Sequence, residues 1–203
     1  MSGRKTPAQR SNYFDNLVDL CIWRYTESRK LIYLPYGVRS IIKSYVVLYF
    51  DNNSLREAVS AWCEDPERAK HIYGHISFWN VGNVTNMSTL FDGKESFNDC
   101  ISFWDVSKVT CMDSMFAYAS AFDQPLDNWD VSAVESMCSM FFQATTFNQP
   151  IGCWNVSAVK EMSCMFYAAT AFNQPLHGWN VRNVSDITCM FGMAKSFNQP
   201  LNT

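Results

Sequence analysis

Two histidines, His71 and His75, stand four residues apart, the spacing at which a helix can present two imidazoles to one metal ion. No H-E-x-x-H motif and no third ligand accompanies them, so a surface role is expected there instead of a metal site. Eight cysteines stand at 21, 63, 100, 111, 138, 153, 164 and 189; none forms a C-x-x-C pair, and no Cys/His grouping has zinc-ligand spacing. Reduced, buried thiols are the expectation for them. A phosphate loop, a dinucleotide fingerprint, a G-x-S-x-G elbow and a Cys/His dyad are all missing from the sequence. The expectation is a chain with no catalytic residue, no cofactor and no metal, hence not an enzyme.

The elements that would position any such groups are written as a repeat. Trp79, Trp104, Trp129, Trp154 and Trp179 are spaced by 25 residues each time, and so are Phe97, Phe122, Phe147, Phe172 and Phe197. Two valine columns, a Met column and a Met-Phe pair containing Phe116, Phe141 and Phe166 keep the same step. The consensus of the five copies is W-[DN]-V-S-x-V-x-x-M-x-x-M-F-x-x-A-x-x-F-[ND]-Q-P-[LI]-x-x, without insertion or deletion, with Ile187 in place of Met in the last copy and Leu90-Phe91 in place of Met-Phe in the first. A fixed period of this length predicts a solenoid, in which stacked coils bury apolar faces that none could bury alone. Short parallel strands are expected near V-x-x-V-x-x-M and F-[ND]-Q-P-L, with a helical or 3-10 turn at M-F-x-x-A. The fold class is therefore an α/β repeat solenoid behind an α-helical N-terminal cap. The five Trp residues, with Phe116, Phe141 and Phe166, are its expected core.

The W-[DN]-V-S-x-V-x-x-M-x-x-M-F-x-x-A-x-x-F-N-Q-P-[LI] motif resembles the BspA-like family of leucine-rich-repeat proteins over about Ile76–Asn202. The lead-in LREAVSAWCEDPERAKHIYGHISFW is similar to the segment that precedes the first coil in such proteins. The resemblance implies right-handed, leucine-rich-repeat-like coils without enzymatic activity, often surface-associated or of unknown function. The chain departs from it in having neither a secretion signal nor a visible C-terminal cap.

Within the repeat, polar columns follow the Trp residues (positions 80, 105, 130, 155 and 180) and the second Phe residues (positions 98, 123, 148, 173 and 198). Corner-securing Asx turns are expected of both. Asp105 and Asp130 would stack on adjacent coils as a weak calcium site, because the other three members of their column are Asn. Cys164 and Cys189 would stack near the strand spacing of about 5 Å, within reach of a disulfide, although a reduced pair is favoured. The places where the copies disagree point to partners. Tyr118, Phe142 and Tyr167 are bulky where the repeat does not demand it, and if exposed they form an aromatic patch suited to a protein interface.

Ahead of the repeats, Phe14, Leu17, Val18, Cys21, Ile22 and Tyr25 have helical spacing. The stretch Leu34, Pro35, Val38, Ile41, Ile42 and Tyr45 resembles the opening of an F-box, which implies docking onto a Skp-type adaptor through Leu34, Pro35 and Ile41. Gly37 stands near where an acidic residue commonly follows the Leu-Pro pair. Ser54-Leu-Arg-Glu57 reads as a capping box opening a helix through Trp62, and Asp65-Pro66 opens another that Gly74 ends. The organisation expected is a disordered basic tail over 1–12, a helical unit over 13–53, a helical cap over 54–76 and repeats over 77–203.

Residues 1–76 carry 11 Lys/Arg against 8 Asp/Glu, and the rest 5 against 11, so the repeats are acidic and nucleic acid is not an expected partner. No apolar run reaches the ~18 residues of a membrane span, and no apolar leader opens the chain. The chain as given is expected to be intracellular, or at the cell surface if it is a fragment. The functional expectation is an interaction scaffold that binds a protein along one face. A BspA-type adhesin and an F-box substrate receptor are the alternatives.

Overall fold

The computed structural model of the protein describes residues 49–200. The tail expected over 1–12, the helices expected before Tyr49, Cys21, and the F-box-like Leu34, Pro35 and Ile41 lie outside those residues. The described residues belong to the unit Leu48–Thr203.

Helix α1 spans Asn52–Glu64 and is opened by Asp51. The Asp51 carboxylate accepts from the backbone N–H of Asn53 and Ser54, while the Ser54 hydroxyl accepts from the Asp51 N–H. This capping box therefore starts three residues earlier than the Ser54-x-x-Glu57 pattern indicates. Leu55, Ala58, Val59 and Trp62 share its buried face, a helical stripe. Helix α2, Pro66–Tyr73, has Asp65 as its cap, proline in its first turn and Gly74 at φ 77° after its end, where a side chain would be strained. A 3-10 turn, Ile76–Phe78, leads into the first repeat. The repeats are numbered 1 to 5 by their tryptophans, from Trp79 to Trp179.

The expected α/β repeat solenoid, with right-handed leucine-rich-repeat-like coils and short parallel strands, is overturned by the backbone. Among the described residues there is no strand and no sheet, only isolated parallel bridges such as Asn86 with Cys111 and Cys111 with Ser136. The reason lies in how peptide groups are used. In repeat 2, the N–H groups of Met112, Ser114, Phe116 and Tyr118 donate to the carbonyls of Ser136, Cys138, Met140 and Phe142 in repeat 3. The residues between them bond within their own turn, as Met115 N–H does to Met112 and Ala117 N–H to Ser114. A parallel strand would aim the N–H and C=O of one residue at the same neighbour. Here alternate peptides serve the stack and the local turn, so backbone polar groups are satisfied without extended chain.

That geometry needs left-handed residues. Thr89, Ser114, Ser139, Cys164 and Cys189 lie at φ 53° to 57°, and so do Tyr118, Gln143, Ala168 and Met193 at 54° to 59°. Each costs roughly 1–2 kcal/mol for a residue with a Cβ. The expense recurs at the same two columns, so it belongs to the architecture of the stack.

The core fills the space behind these rungs. Phe91, Phe116, Phe141, Phe166 and Phe191 stack at 5.4 to 5.6 Å between centroids, with planes 1° to 8° apart. Phe97, Phe122, Phe147, Phe172 and Phe197 form a second ladder at 5.8 to 6.1 Å. Partners in the two ladders face each other at 3.9 to 4.1 Å. Near-parallel rings this far apart along a ladder are offset, the arrangement the ring quadrupole prefers. All five Trp side chains are buried. The indole N–H groups of Trp104, Trp129, Trp154 and Trp179 each donate to the carbonyl 28 residues earlier, in the preceding turn. Indole packing and its polar edge thus both join neighbouring repeats.

Candidate interaction surface

Helix α1 covers part of the first edge of the stack. An inner repeat receives N–H donors from the repeat before it; repeat 1 has none, and Arg56 stands in. Its guanidinium donates to the Ser88 carbonyl, the Asn86 carbonyl and side chain, and the Ser88 hydroxyl. Asn52 supplies the reciprocal acceptor, its side-chain oxygen taking the N–H groups of Thr85 and Asn86. The Trp62 indole N–H donates to Asp99 at 2.8 Å and adds a tie to the body of repeat 1. Beyond Arg56, an open cleft of about 330 Å³ runs past Ser60, Leu90, Asp92 and Lys94.

The polar columns serve the backbone. The side-chain oxygens of Asn80, Asp105, Asp130, Asn155 and Asn180 each accept from the N–H two residues on. The Ser107 hydroxyl and then its N–H hold the Asp105 carboxyl below the ordinary carboxylate range. Ser132 does the same for Asp130, and Thr188 for Asp186. Asp105 and Asp130 are turned to their own serines, and no cluster of three or more His, Cys, Asp or Glu able to hold a metal exists among the described residues. The second column forms a side-chain ladder: Asn98, Asp123, Asn148 and Asn173 each accept the N–H of the residue 25 positions later. The amide of the following Gln joins each step.

The cysteines at the described positions are free thiols, Cys164 and Cys189 included. Burial pushes the Cys164 thiol up, with Cys189 beside it adding to the effect, and burial likewise raises Cys63 and Cys111. His71 is exposed on α2, while His75 packs edge-on to Trp62 and caps the 3-10 turn. The two imidazoles are thus put to different uses.

The aromatic residues at the variable columns come together. The Tyr118 ring meets Phe142 edge-on at 5.3 Å, and Phe142 stacks on Tyr167 at 5.0 Å with planes 8° apart. Tyr118 is 46% exposed, and the other two are half-buried. The Tyr167 hydroxyl reaches Met193 Sδ at 3.2 Å, carrying the stripe on to an exposed methionine. Gly192 lies beneath Tyr167, where a Cβ would come within 2.6 Å of the ring. Its lack of a side chain lets the tyrosine lie flat.

A model of the family described as "Mycoplasma protein of unknown function, DUF285" matches residues 57–168 and 123–203. The chain belongs to this family. No curated protein and no solved structure matches it. The DUF285 match begins inside α1, so the family pattern takes in some of the helical segment as well as the repeats.

A second aromatic feature of this DUF285 chain escaped sequence reasoning. Phe78 and Phe103 are 77% and 71% exposed and stack at 6.4 Å, with His75 against Phe78. The signal was present: the residue just before Trp is Phe in the first two repeats, then Asn128, Cys153 and Gly178. No helix among the described residues is long and apolar enough to cross a membrane.

Proposed function

We propose that the protein is a non-enzymatic scaffold that binds a partner protein along the face carrying Tyr118, Phe142 and Tyr167. The observation behind this reading is the continuous ring stripe from Tyr118 to Tyr167, extended by Met193, on two columns that elsewhere hold Gly93, Gln143 and Ala168, and Asp92, Ala117 and Gly192. The Trp and Phe core columns keep one residue type because packing demands it. These columns do not, so their aromatic residues answer to something other than the stack. Rigid amphipathic rings at a partly wetted face are the side chains that dominate protein interfaces.

The test is a photo-crosslinking amino acid at position 142, compared with one at exposed Ser132, in the native cell. One discrete protein should be captured from position 142 only, and Tyr118→Ser with Tyr167→Ser should abolish the capture. Equal capture from both positions would sink the reading. The likeness to BspA-like proteins supports the binding class, and a surface partner would move the protein toward the adhesin version. The F-box version rests on residues 34–46 and requires a Skp-type adaptor that is lost with Leu34→Ala plus Ile41→Ala.

A further inference from the structure

The Tyr118–Phe142–Tyr167 stripe lies among charges of one prevailing sign. Residues 77–203 carry 11 Asp/Glu against 5 Lys/Arg, and among the described residues of the repeats one ion pair forms, Lys160 with Glu135. The carboxylates of Asp113 and Glu161 have no such partner there. Asp113 accepts the N–H of Cys138, and the tight turn that follows, closed by the Phe142 N–H on the Ser139 carbonyl, leads to the middle ring. Glu161 accepts from the Ser185 hydroxyl, and in its own repeat the turn closed by the Tyr167 N–H on the Cys164 carbonyl leads to the last ring. At the head of the stripe, exposed Asp92 and Glu95 outnumber Lys94. In repeat 5, Asp186 and Lys195 offset one another. Downstream of the rings, the hydroxyls of Ser120, Thr145 and Thr170 donate to backbone carbonyls of the preceding repeat and bring no charge.

We infer that this stripe takes a basic segment of its partner, with arginines at alternate positions lying over the rings and pairing with the flanking carboxylates. The inference rests on the reading of the stripe as the partner-binding face and names the chemistry of the occupant. A guanidinium is planar, so it can stack on a ring face while its fork of N–H donors meets a carboxylate. Lysine offers a point charge and loses the stacking. An extended segment sets alternate side chains about 6.6 Å apart. The ring-to-ring steps are 5.3 and 5.0 Å, so two arginines reach from Tyr118 to Tyr167. A purely apolar occupant would take Asp113 and Glu161 out of water without a partner charge, which is costly. An anionic occupant would meet the acidic surroundings as a like charge.

The experiment is an NMR titration of the full chain with short Gly/Ser peptides carrying Arg-x-Arg, Lys-x-Lys or Glu-x-Glu. The arginine peptide should shift the amide signals of Tyr118, Phe142 and Tyr167 in a saturable way, the lysine peptide should bind more weakly, and the glutamate peptide should leave them in place. Tyr118→Ser with Tyr167→Ser should weaken the arginine peptide by about fivefold or more. Asp113→Asn with Glu161→Gln should weaken it by about threefold or more, because the amide oxygens still accept from Cys138 and Ser185 and only the charge is lost. Asp105→Asn with Asp130→Asn makes the same change of charge on the column after Trp and should leave the affinity within about twofold. No binding of the arginine peptide overturns the inference. Equal affinity for the lysine peptide, or equal weakening by the Asp105/Asp130 pair, reduces the effect to bulk charge and overturns it as well. One discrete protein crosslinked from position 142, with no binding of the arginine peptide, would overturn it while leaving the scaffold reading in place.

Discussion

Replacing Trp129 in repeat 3 by alanine removes a side chain only 3% exposed and deletes its 3.1 Å hydrogen bond to the Ile101 carbonyl. Taking an indole out of the core forfeits roughly 150–200 Å² of buried surface, or about 4–5 kcal/mol at 25 cal/mol per Å². The orphaned Ile101 carbonyl adds about 1–3 kcal/mol if water cannot reach it. Partial collapse around the gap offsets some of this, so about 4–6 kcal/mol is expected, near the upper range for such truncations. Urea unfolding followed by far-UV circular dichroism measures it, with Trp129→Phe as the companion variant. Phenylalanine keeps most of the packing and loses the N–H, so it should cost roughly 1–3 kcal/mol. An alanine variant within about 1 kcal/mol of the parent would mean that the Trp column does not hold the repeats together. A phenylalanine variant as damaged as alanine would show that the hydrogen bond outweighs the packing.

Arg56→Met keeps the aliphatic stem but leaves the Ser88 carbonyl without its Arg56 donor, while Asn86 Oδ1 keeps the Ser88 N–H and hydroxyl, and should cost about 1–3 kcal/mol in the same urea assay. Asp105 and Asp130 have carboxyl groups lowered by hydrogen bonds from Ser107 and Ser132, so their contribution is present above the unfolded value near 4 and is lost as pH falls through the folded values. Asp105→Asn with Asp130→Asn should therefore flatten the acid limb of the stability curve below about pH 4. An unchanged limb would assign acid sensitivity to other carboxylates. In Asn148→Ala the Asn173 N–H and the Gln174 amide lose their shared acceptor, and thermal unfolding should shift down by about 1–2 kcal/mol. Asn148→Asp should be nearly neutral, because Asp123 already fills the same role in the preceding repeat.

The register of the stack is legible in the sequence because large rings recur at one spacing: a 25-residue step in Trp and Phe can only line up like with like. The backbone is another matter. The V-x-x-V-x-x-M run reads as strand because valine and alternate apolar residues favour extended chain. Nothing in Thr89, Ser114, Ser139 or Cys164 announces a left-handed residue, a place where Gly or Asn would have given the signal. Alternation of peptide bonding between stack and turn is a property of five copies acting together, so no single copy carries it. At the first edge, Ser54-x-x-Glu57 matches a capping pattern one turn too late, while Asp51 has the better geometry. The role of Arg56 is invisible in the sequence because it follows from what repeat 1 lacks. The Tyr118–Phe142–Tyr167 contact depends on two adjacent columns meeting across repeats, which residue counting alone could only raise as a question.

Residue-resolved amide exchange of the free chain tests the alternating-peptide stack most directly. In the chain of 203 residues, Met112, Ser114, Phe116 and Tyr118, which donate across an interior interface, should exchange at least about a hundredfold more slowly than Ile187, Cys189, Phe191 and Met193, whose N–H groups have no partner among the described residues. Equal protection of the two sets, or fast exchange at all eight, would contradict the stack.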